Sequence, residues 1–177
     1  MGPTHDTDPL MRTTGPVLSL IVTLAGCATA LPTGDDPNGI EGMTPAEVID
    51  ALEAIGLECS EPEQGPVNID FACVETPNAV SVHGTSQTVD EMNGVSVEVA
   101  DGNRSTAQRL ADALLAIPYE GADPDTSSAW LSERLATADC VNVNLPSADC
   151  ETVVGSARLE LHIDGAVDHI TVRLVGR

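Results

Sequence analysis

Two histidines, His162 and His169, stand at a spacing that could do chemistry. The Gly-Ala pair at residues 165–166 favours a hairpin turn between them, so the two imidazoles are predicted to face each other on adjacent strands, with Glu160 and Arg173 on the same polar side. Two imidazoles and a carboxylate could bind a divalent metal ion or form a pH-responsive patch. An ordinary solvated sheet face is the alternative, and a register shifted by two residues would pair Glu160 with His169. We therefore treat these four residues as candidate binding residues and assign no metal site.

The chain contains no familiar catalytic motif. Gly-x-Ser-x-Gly, His-Glu-x-x-His, the P-loop and the dinucleotide-binding glycine pattern are all absent from the sequence. Residues 35–39 (Asp-Asp-Pro-Asn-Gly) and 101–103 (Asp-Gly-Asn) are similar to fragments of calcium loops, but they lack the other ligands of an EF-hand and are predicted to be turns. We expect no catalytic residue. A small hydrolase or metal-dependent enzyme using His162 and His169 is kept as an alternative.

A short apolar run at residues 17–24 leads into Leu-Ala-Gly-Cys at residues 24–27. The run is far shorter than the ~20 residues that a membrane-spanning helix needs. These four residues resemble the lipobox of bacterial lipoproteins. The resemblance implies a signal peptide over residues 1–26, cleavage before Cys27, and a diacylglyceryl group on the Cys27 sulfur.

The charge pattern before the apolar run fits a signal peptide that begins at Met11. Arg12 is the one basic residue ahead of the run, whereas residues 1–10 carry Asp6 and Asp8 and no positive charge. A signal peptide opens with a positively charged segment, so Met11 is the better start.

The cysteines support an extracytoplasmic location. Five is an odd number, and setting Cys27 aside for lipidation leaves Cys59, Cys73, Cys140 and Cys150, which allow three pairings. Pairing of neighbours is the simplest, and each short bridge would contribute about 3 kcal/mol. The spacings of 14, 67 and 10 residues, without any Cys-x-x-Cys, argue against a zinc site. Two disulfides indicate an oxidising compartment.

Composition excludes some classes of partner. The formal net charge is -21, and such a surface repels nucleic acid and anionic lipid head groups. Phe71, Tyr119 and Trp130 are the only aromatic residues in the sequence, which argues against a site that stacks sugar rings or bases.

The pattern along the chain predicts a tether followed by one domain. Residues 28–43 are rich in Gly, Pro and Asp and are predicted to be flexible, so that lipidated Cys27 and the tether would occupy residues 27–43. A coil of this length would hold the domain roughly 20–25 Å from the membrane. The folded domain is predicted over residues 44–177.

Within that domain we predict three helices and about five strands. Capping boxes at Thr44 and Ser105 and a start at Asp123 mark the helices. Strands are predicted at residues 67–73, near 80–82, at 95–99 after an Asn-Gly hairpin turn, and in a C-terminal hairpin that places Leu159, Leu161 and Ile163 opposite Ile170, Val172 and Leu174. Alternating strands have one wet face and pair antiparallel, which predicts a two-layer α+β domain with the helices on one face of the sheet.

One further resemblance concerns the first helix. Residues 42–48 (Gly-Met-Thr-Pro-Ala-Glu-Val), followed by Leu52 and by Gly-Leu at residues 56–57, resemble the helical opening of PASTA modules. Those modules occur in bacterial cell-wall sensors and are associated with peptidoglycan binding. The sequence departs from the PASTA pattern after residue 57, at Cys59. The resemblance implies a peptidoglycan-binding module as a second alternative.

Together these features predict a lipoprotein of the cell envelope, held on the extracytoplasmic face of the cell membrane. Its partners would be the lipid bilayer, through acylated Cys27, and an envelope protein or cell-wall component, with no role for nucleic acid. We expect no cofactor other than the covalent lipid, and a binding domain rather than an enzyme.

Overall fold

A computed structural model describes residues 31–75, 80–137, 149–165 and 167–177. The predicted signal peptide, Cys27 and Cys140 lie outside these ranges. The described residues form three helices and eight strands: α1 (Pro45–Ala54), β1 (Glu58–Cys59), β2 (Glu63–Gln64), β3 (Ile69–Glu75), β4 (Val80–Ser86), β5 (Gly94–Val99), α2 (Arg104–Leu115), α3 (Pro124–Thr137), β6 (Asp149–Val154), β7 (Ala157–Asp164) and β8 (His169–Gly176).

All strand pairs in the described ranges are antiparallel and belong to one sheet. The strand order is β1-β3-β4-β5-β8-β7-β6, and β2 also pairs with β3. Every second residue of the long strands is buried, as in β7, where Ala157, Leu159, Leu161 and Ile163 face the core. The predicted α+β class with an antiparallel sheet is confirmed.

The core lies between this sheet and the helices. Leu52 of α1, Leu110 of α2 and Leu131 of α3 are fully buried in the same hydrophobic cluster as Val97 and Leu161 of the sheet. Residues on the opposite side of the strands alternate with the buried ones and are partly or fully exposed. We call this side, which no helix within the described ranges covers, the open face. A sheet covered on one side by helices is the expected two-layer arrangement.

The number of strands was underestimated. Strands β1 and β2 have two residues each, too few for a period of two to be visible. In strand β6 the apolar alternation is interrupted. Cys150 and Thr152, on the inward side, are only half-buried, whereas Val153, on the outward side, is 55% exposed. These strands are held by pairing with β3 and β7 rather than by a pattern of their own.

The caps of α1 and α3 follow the prediction, but that of α2 does not. The Thr44 side chain accepts a hydrogen bond from the Glu47 amide, and the Glu47 carboxylate accepts one from the Thr44 amide at 2.9 Å. Asp123 Oδ1 accepts from the Thr126 amide at 3.0 Å, and this bond lowers the pKa of Asp123. In α2 the cap is Asn103, two residues before the predicted Ser105, because the Asn103 side chain accepts from the Thr106 amide.

The predicted Asn-Gly hairpin turn is also wrong. Residues 87–93 connect β4 to β5, and Gly94 is already the first residue of β5. A β-carbon at Gly94 would lie 3.1 Å from Val175 Cγ1, so the glycine permits close approach of β8.

The folded domain begins earlier than Thr44. Ile40 and Met43, which were predicted to belong to the tether, are fully buried, and the Ile40 amide donates to the Met92 carbonyl at 2.6 Å. Farther upstream, the Val89 amide donates to the Pro32 carbonyl at 2.9 Å. Residues 32–43 are therefore packed on the β4–β5 connection, and the predicted boundary at residue 44 is corrected.

One disulfide joins two described cysteines. Cys59 of β1 and Cys73 of β3 are directly opposite in the sheet and form an S–S bond. Cys150 is also disulfide-bonded. Because Cys140 lies outside the described ranges, the prediction of a Cys140–Cys150 bridge is not decided by the structure.

Candidate functional site

The two predicted histidines lie on the open face but are not opposite each other. His169 pairs with Asp164, and His162 pairs with Thr171. The observed register is offset by two residues from the predicted facing pair, and it also differs from the alternative in which Glu160 met His169. The buried face is as predicted, because alternation determines which residues point inward; the observed register places Leu159 opposite Leu174.

Glu160 is held by two arginines rather than by the histidines. Arg158 Nε lies 2.8 Å from Glu160 Oε1, and Arg173 Nη1 lies 3.4 Å from Glu160 Oε2. Arg158 also approaches Glu151 of β6, with 3.8 Å between Nε and Oε2. We call Glu151, Arg158, Glu160 and Arg173 the ion-pair row. Both oxygens of Glu160 are thus engaged by guanidinium groups.

A metal centre is not assembled in the part of the chain that the structure describes. Within it, no group of three or more His, Cys, Asp or Glu residues is placed to hold a metal ion. The shifted register is the physical reason, since it separates His162 from His169 along the hairpin. His169 Nε2 is buried and has no hydrogen-bond partner among the described residues.

The ion-pair row continues across the sheet on the open face. Register partners lead from Arg173 to Ser96 of β5, from Ser96 to His83 of β4, and from His83 to Ala72 of β3. A depression of about 180 Å³ lies over Gly94 beside His83, Ser96 and Arg173. A second one, of about 350 Å³, adjoins His83 from the β2–β3 side. The open face is therefore largely polar, charged at one side and indented at its centre, with exposed Val74 and Val153 on its outer strands.

A second concavity lies at the end of the sheet where β7 begins and β8 ends. Four carboxylates border it, together with Ser156 and Arg177, around an open cleft of about 800 Å³. We call this cleft the acidic corner; its carboxylates are Asp35, Asp36, Glu41 and Glu91.

Three chain segments, at residue 41, residues 120–121 and residues 155–156, are joined behind the acidic corner. The Glu120 amide donates to the Glu41 carbonyl at 2.8 Å, and the Ser156 amide donates to the Glu120 carbonyl at 2.9 Å. Glycines allow this approach: a β-carbon at Gly121 would lie 2.6 Å from the Gly155 Cα.

Glu91 is oriented by the loop that precedes it. The buried Ser86 hydroxyl is hydrogen-bonded to the carbonyls of Thr88 and Glu91, which holds the β4–β5 connection in a compact turn. Glu91 Oε2 then accepts a hydrogen bond from the Asp36 amide at 2.8 Å, and Asp36 Oδ1 accepts one from the Asn38 amide at 2.9 Å.

Negative charge is concentrated enough in the corner to affect ionisation. A side-chain hydrogen bond in which the protonated Glu41 carboxyl donates to Glu120, with the charge of Glu120 as the next cause, raises the pKa of Glu41 above its ordinary value of 4.5. A raised carboxyl pKa means that a second negative charge is unfavourable at this position.

Sequence reasoning missed the acidic corner because it assigned residues 35–39 to a turn in a free tether. The signal that was available is apolar: Ile40 and Met43 are hydrophobic residues inside a polar segment, and both are buried. Their burial brings Asp35, Asp36 and Glu41 onto the domain. The partner carboxylate, Glu91, is about fifty residues away in sequence and could not have been assigned by spacing.

Comparison with known proteins adds no assignment: no protein-family model, curated protein or solved structure matches this chain. None of the helices within the described ranges is long and apolar enough to cross a membrane.

Proposed function

We propose that this protein is a lipid-anchored cell-envelope protein whose α+β domain binds another envelope protein through the open face of its sheet. The observation that carries the binding role is the one-sided cover of the sheet. Helices bury most of one face, while the other presents half-buried Ser96, exposed His83 and the ion-pair row. A partner that covers this face must form hydrogen bonds or ion pairs with its polar side chains. This requirement favours a protein with a polar surface as the ligand.

The anchor is supported by the lipobox resemblance at residues 24–27 and by the cysteine pairing. Cys59 and Cys73 are bonded to each other, and Cys150 is disulfide-bonded. We propose Cys140 as the partner of Cys150, which leaves Cys27 for the lipid. After cleavage before Asp139 and Asp149, the peptides that contain Cys140 and Cys150 should be recovered joined without reduction and separate after reduction.

Metabolic labelling tests the anchor directly. Cells that express the full chain and are fed radioactive palmitate should incorporate label into it, and Cys27→Ser should abolish that label. The double variant Cys59→Ser/Cys73→Ser serves as the matched control and should retain the label. Equal labelling of Cys27→Ser and the unaltered chain would show that the acyl group is elsewhere, and absence of label from both would remove the anchor.

Site-specific photo-crosslinking tests the binding face. A photoreactive residue at Ser96, in the centre of the open face, should give a discrete crosslinked protein in envelope preparations. The same residue at Ser132, which is exposed on α3 in the helical layer, is the matched control and should not. Crosslinks from Ser132 alone would place the interaction on the helices and refute the proposal.

The PASTA resemblance at residues 42–48 keeps a cell-wall ligand as an outcome of the same test. Co-sedimentation of the full chain with purified peptidoglycan, combined with no protein crosslink at Ser96, would favour the wall component instead. Turnover of a substrate that is lost in His169→Ala would favour the enzymatic alternative.

A further inference from the structure

Strand β6 lies at one end of the sheet. It pairs with β7, and no other strand of the described ranges pairs with it. Residues 155–156 form a two-residue turn, so the flanking Val154 and Ala157 form a hydrogen-bonded pair, and such pairs then recur at every second residue. The backbone N–H and C=O groups of Val153 and Glu151 therefore point away from β7. An edge of this kind is a template for the addition of another strand.

A groove runs along this edge, between β6 and α3. On the strand side it is lined by three consecutive residues, 152–154. Successive side chains of a strand point to opposite faces, so a groove that all three residues border lies along the backbone edge. On the helix side it is lined by Thr126, Ser127 and Trp130, which are three and four residues apart and share one face of α3. We call it the β6–α3 groove.

Trp130 gives the groove an apolar recess. The indole is half-buried against the hydrophobic core, and Val154 beside it is 8% exposed. Gly121 and Gly155 line the same cavity and have no side chains to fill it, which leaves a volume of about 210 Å³. This volume accommodates one aliphatic side chain. A strand added to β6 would direct every second side chain towards the helical layer, where the cavity lies.

Carboxylates border the groove. Asp123 lines it and is ionised at neutral pH, because hydrogen bonds from the Thr126 amide and side chain lower its pKa. Asp125 is exposed in the first turn of α3. Glu151, on the outward side of β6, is 60% exposed, and its Oε2 atom is 3.8 Å from Arg158 Nε, too far for a strong ion pair. Opposite charges on neighbouring strands attract each other, so basic side chains are favoured on an added strand.

We propose that the β6–α3 groove binds an extended segment of a partner protein, which adds to the sheet as a strand beside β6. Its backbone bonds to Val153 and Glu151, an apolar side chain enters the cavity beside Trp130, and basic side chains on its outward side face Glu151. In this mode of recognition, backbone bonds supply affinity and the side-chain pocket supplies specificity. The groove lies at the edge of the sheet, so its use depends on neither the open face nor the lipid anchor.

The fluorescence of Trp130 tests this proposal, because it is the sole tryptophan and lines the groove. The probe is the blocked heptapeptide Thr-Val-Lys-Val-Lys-Val-Thr, added to the detergent-solubilised full chain. We expect a saturable change in the emission of Trp130. An analogue N-methylated at its five central residues keeps the side chains and the charge but cannot donate backbone hydrogen bonds there, and it should not bind. An analogue with glutamate in place of lysine should bind more weakly.

Hydrogen exchange measured by NMR shows whether the peptide adds at β6. The amides of Glu151 and Val153 should exchange rapidly in the free protein and slowly in the complex, whereas the Thr152 amide, which points to β7, should change little. Protection of Glu151 and Val153 without peptide would mean that another part of the chain, residues 138–148 included, already pairs with this edge. That result would overturn the proposal.

Val153→Pro is the decisive variant. It removes an N–H that points away from the sheet, a position at which an edge strand tolerates proline. Affinity for the lysine peptide should fall by about tenfold. Val153→Thr is the matched control, because it keeps this N–H and a β-branched side chain, and it should bind the peptide nearly as tightly as the unaltered chain.

A charge variant keeps the proposal falsifiable if Val153→Pro does not fold. Glu151→Gln should weaken binding of the lysine peptide by about twofold to fivefold and reduce its advantage over the glutamate peptide. Asp50→Asn, which removes one charge from the exposed side of α1, should leave the affinity nearly unchanged. No saturable change with the lysine peptide, equal binding of the N-methylated analogue, or unchanged affinity in every folded variant of β6 would refute strand addition.

Discussion

Glycines allow the 120–121 and 155–156 segments to contact each other behind the acidic corner. Gly155 has φ +57°, and a β-carbon there would collide with the Glu120 carbonyl oxygen and with Gly121. Gly56, at the end of α1, also has a positive φ, +97°, but a β-carbon there would meet nothing within 4 Å. At both positions a residue other than glycine would be strained, but only at Gly155 would its β-carbon also collide with neighbouring backbone.

This pair gives a matched prediction for stability. Gly56→Ala should lower the free energy of unfolding by about 1 kcal/mol, the cost of a left-handed alanine. Gly155→Ala should cost more, about 2–3 kcal/mol, because strain and a backbone clash act together. Urea unfolding measures both. Equal losses for the two variants would mean that the 120–121 and 155–156 segments separate without penalty.

The Glu41 carboxyl predicts a pH effect whose sign is fixed by its raised pKa. Its protonated form is favoured in the folded state, so its contribution to stability is present below pH 4.5 and is lost as pH rises through the folded pKa. Glu120→Gln removes the charge of Glu120 and should bring the Glu41 pKa down towards 4.5. Carboxyl NMR titration follows this directly.

Glu91→Gln is the comparison for that titration, because the charge of Glu91 is a smaller cause of the same shift. It should lower the Glu41 pKa by less than Glu120→Gln does. The reverse order, or no change in either variant, would contradict the assigned cause.

At the scale of elements, the N-cap of α2 that the sequence pattern predicts differs from the residue whose side chain caps the helix. Residues 105–108 read as a capping box, yet Asn103 Oδ1 accepts from the Thr106 amide at 3.1 Å and also from the Ser105 hydroxyl at 2.8 Å. Asn103→Ala should therefore cost about 1 kcal/mol of stability, and Ser105→Ala only a few tenths. Thermal unfolding of the two variants decides, and a larger loss for Ser105→Ala would restore the sequence-based assignment.

Strand β1 depends on its covalent bond to β3. It has two residues, and the Cys59–Cys73 bridge closes a loop with a sequence separation of 14. Removing the bridge in Cys59→Ala/Cys73→Ala should cost about 3 kcal/mol on the chain-entropy model. Hydrogen exchange should accelerate at the Ser60 amide, which donates to the Ala72 carbonyl, while amides between β7 and β8 keep their relative protection. Uniform acceleration across the sheet would show that the bridge stabilises the whole domain alike.

Register explains which parts of the site could be predicted. The inward residues of the C-terminal hairpin follow from alternation, and Leu161 and Val172 are both buried as expected. The outward partners depend also on turn length, which one Gly-Ala pair did not determine, so Arg173 meets Glu160 and His169 meets Asp164. Alternation assigns a side chain to a face, but only the turn assigns it a neighbour.

At the scale of the whole molecule, local sequence patterns predicted the layer of helices and the sheet. They did not predict contacts between residues far apart in the sequence. Helix and strand periodicity within short windows identified all three helices and five of the six longer strands, the exception being β6. The packing of residues 32–43 against the β4–β5 connection joins positions about fifty residues apart, and no periodicity records such a contact. The acidic corner is a product of that packing, which is why it was not predicted.

The early start of the fold changes where the domain would stand on a membrane. If Cys27 is acylated as proposed, only residues 28–31 separate it from Pro32, whose carbonyl accepts a hydrogen bond from the domain, and the five Cα–Cα steps reach at most about 18 Å. Trp130 is the sole tryptophan and lines a shallow cavity with Gly121 and Gly155, next to the acidic corner. Energy transfer from Trp130 to dansyl-labelled lipid can therefore report the distance between the domain and the bilayer.

Lengthening the tether should move the domain away. In vesicles, a Gly-Ser spacer of about twelve residues inserted after Leu31 should reduce transfer from Trp130, because a flexible chain adds reach as the square root of its length. The same spacer inserted between Val167 and Asp168, in the exposed β7–β8 turn, leaves the tether unaltered and should preserve the transfer. If both insertions leave the transfer unchanged, the domain is held at the bilayer by its own surface rather than by the length of the segment that joins it to Cys27.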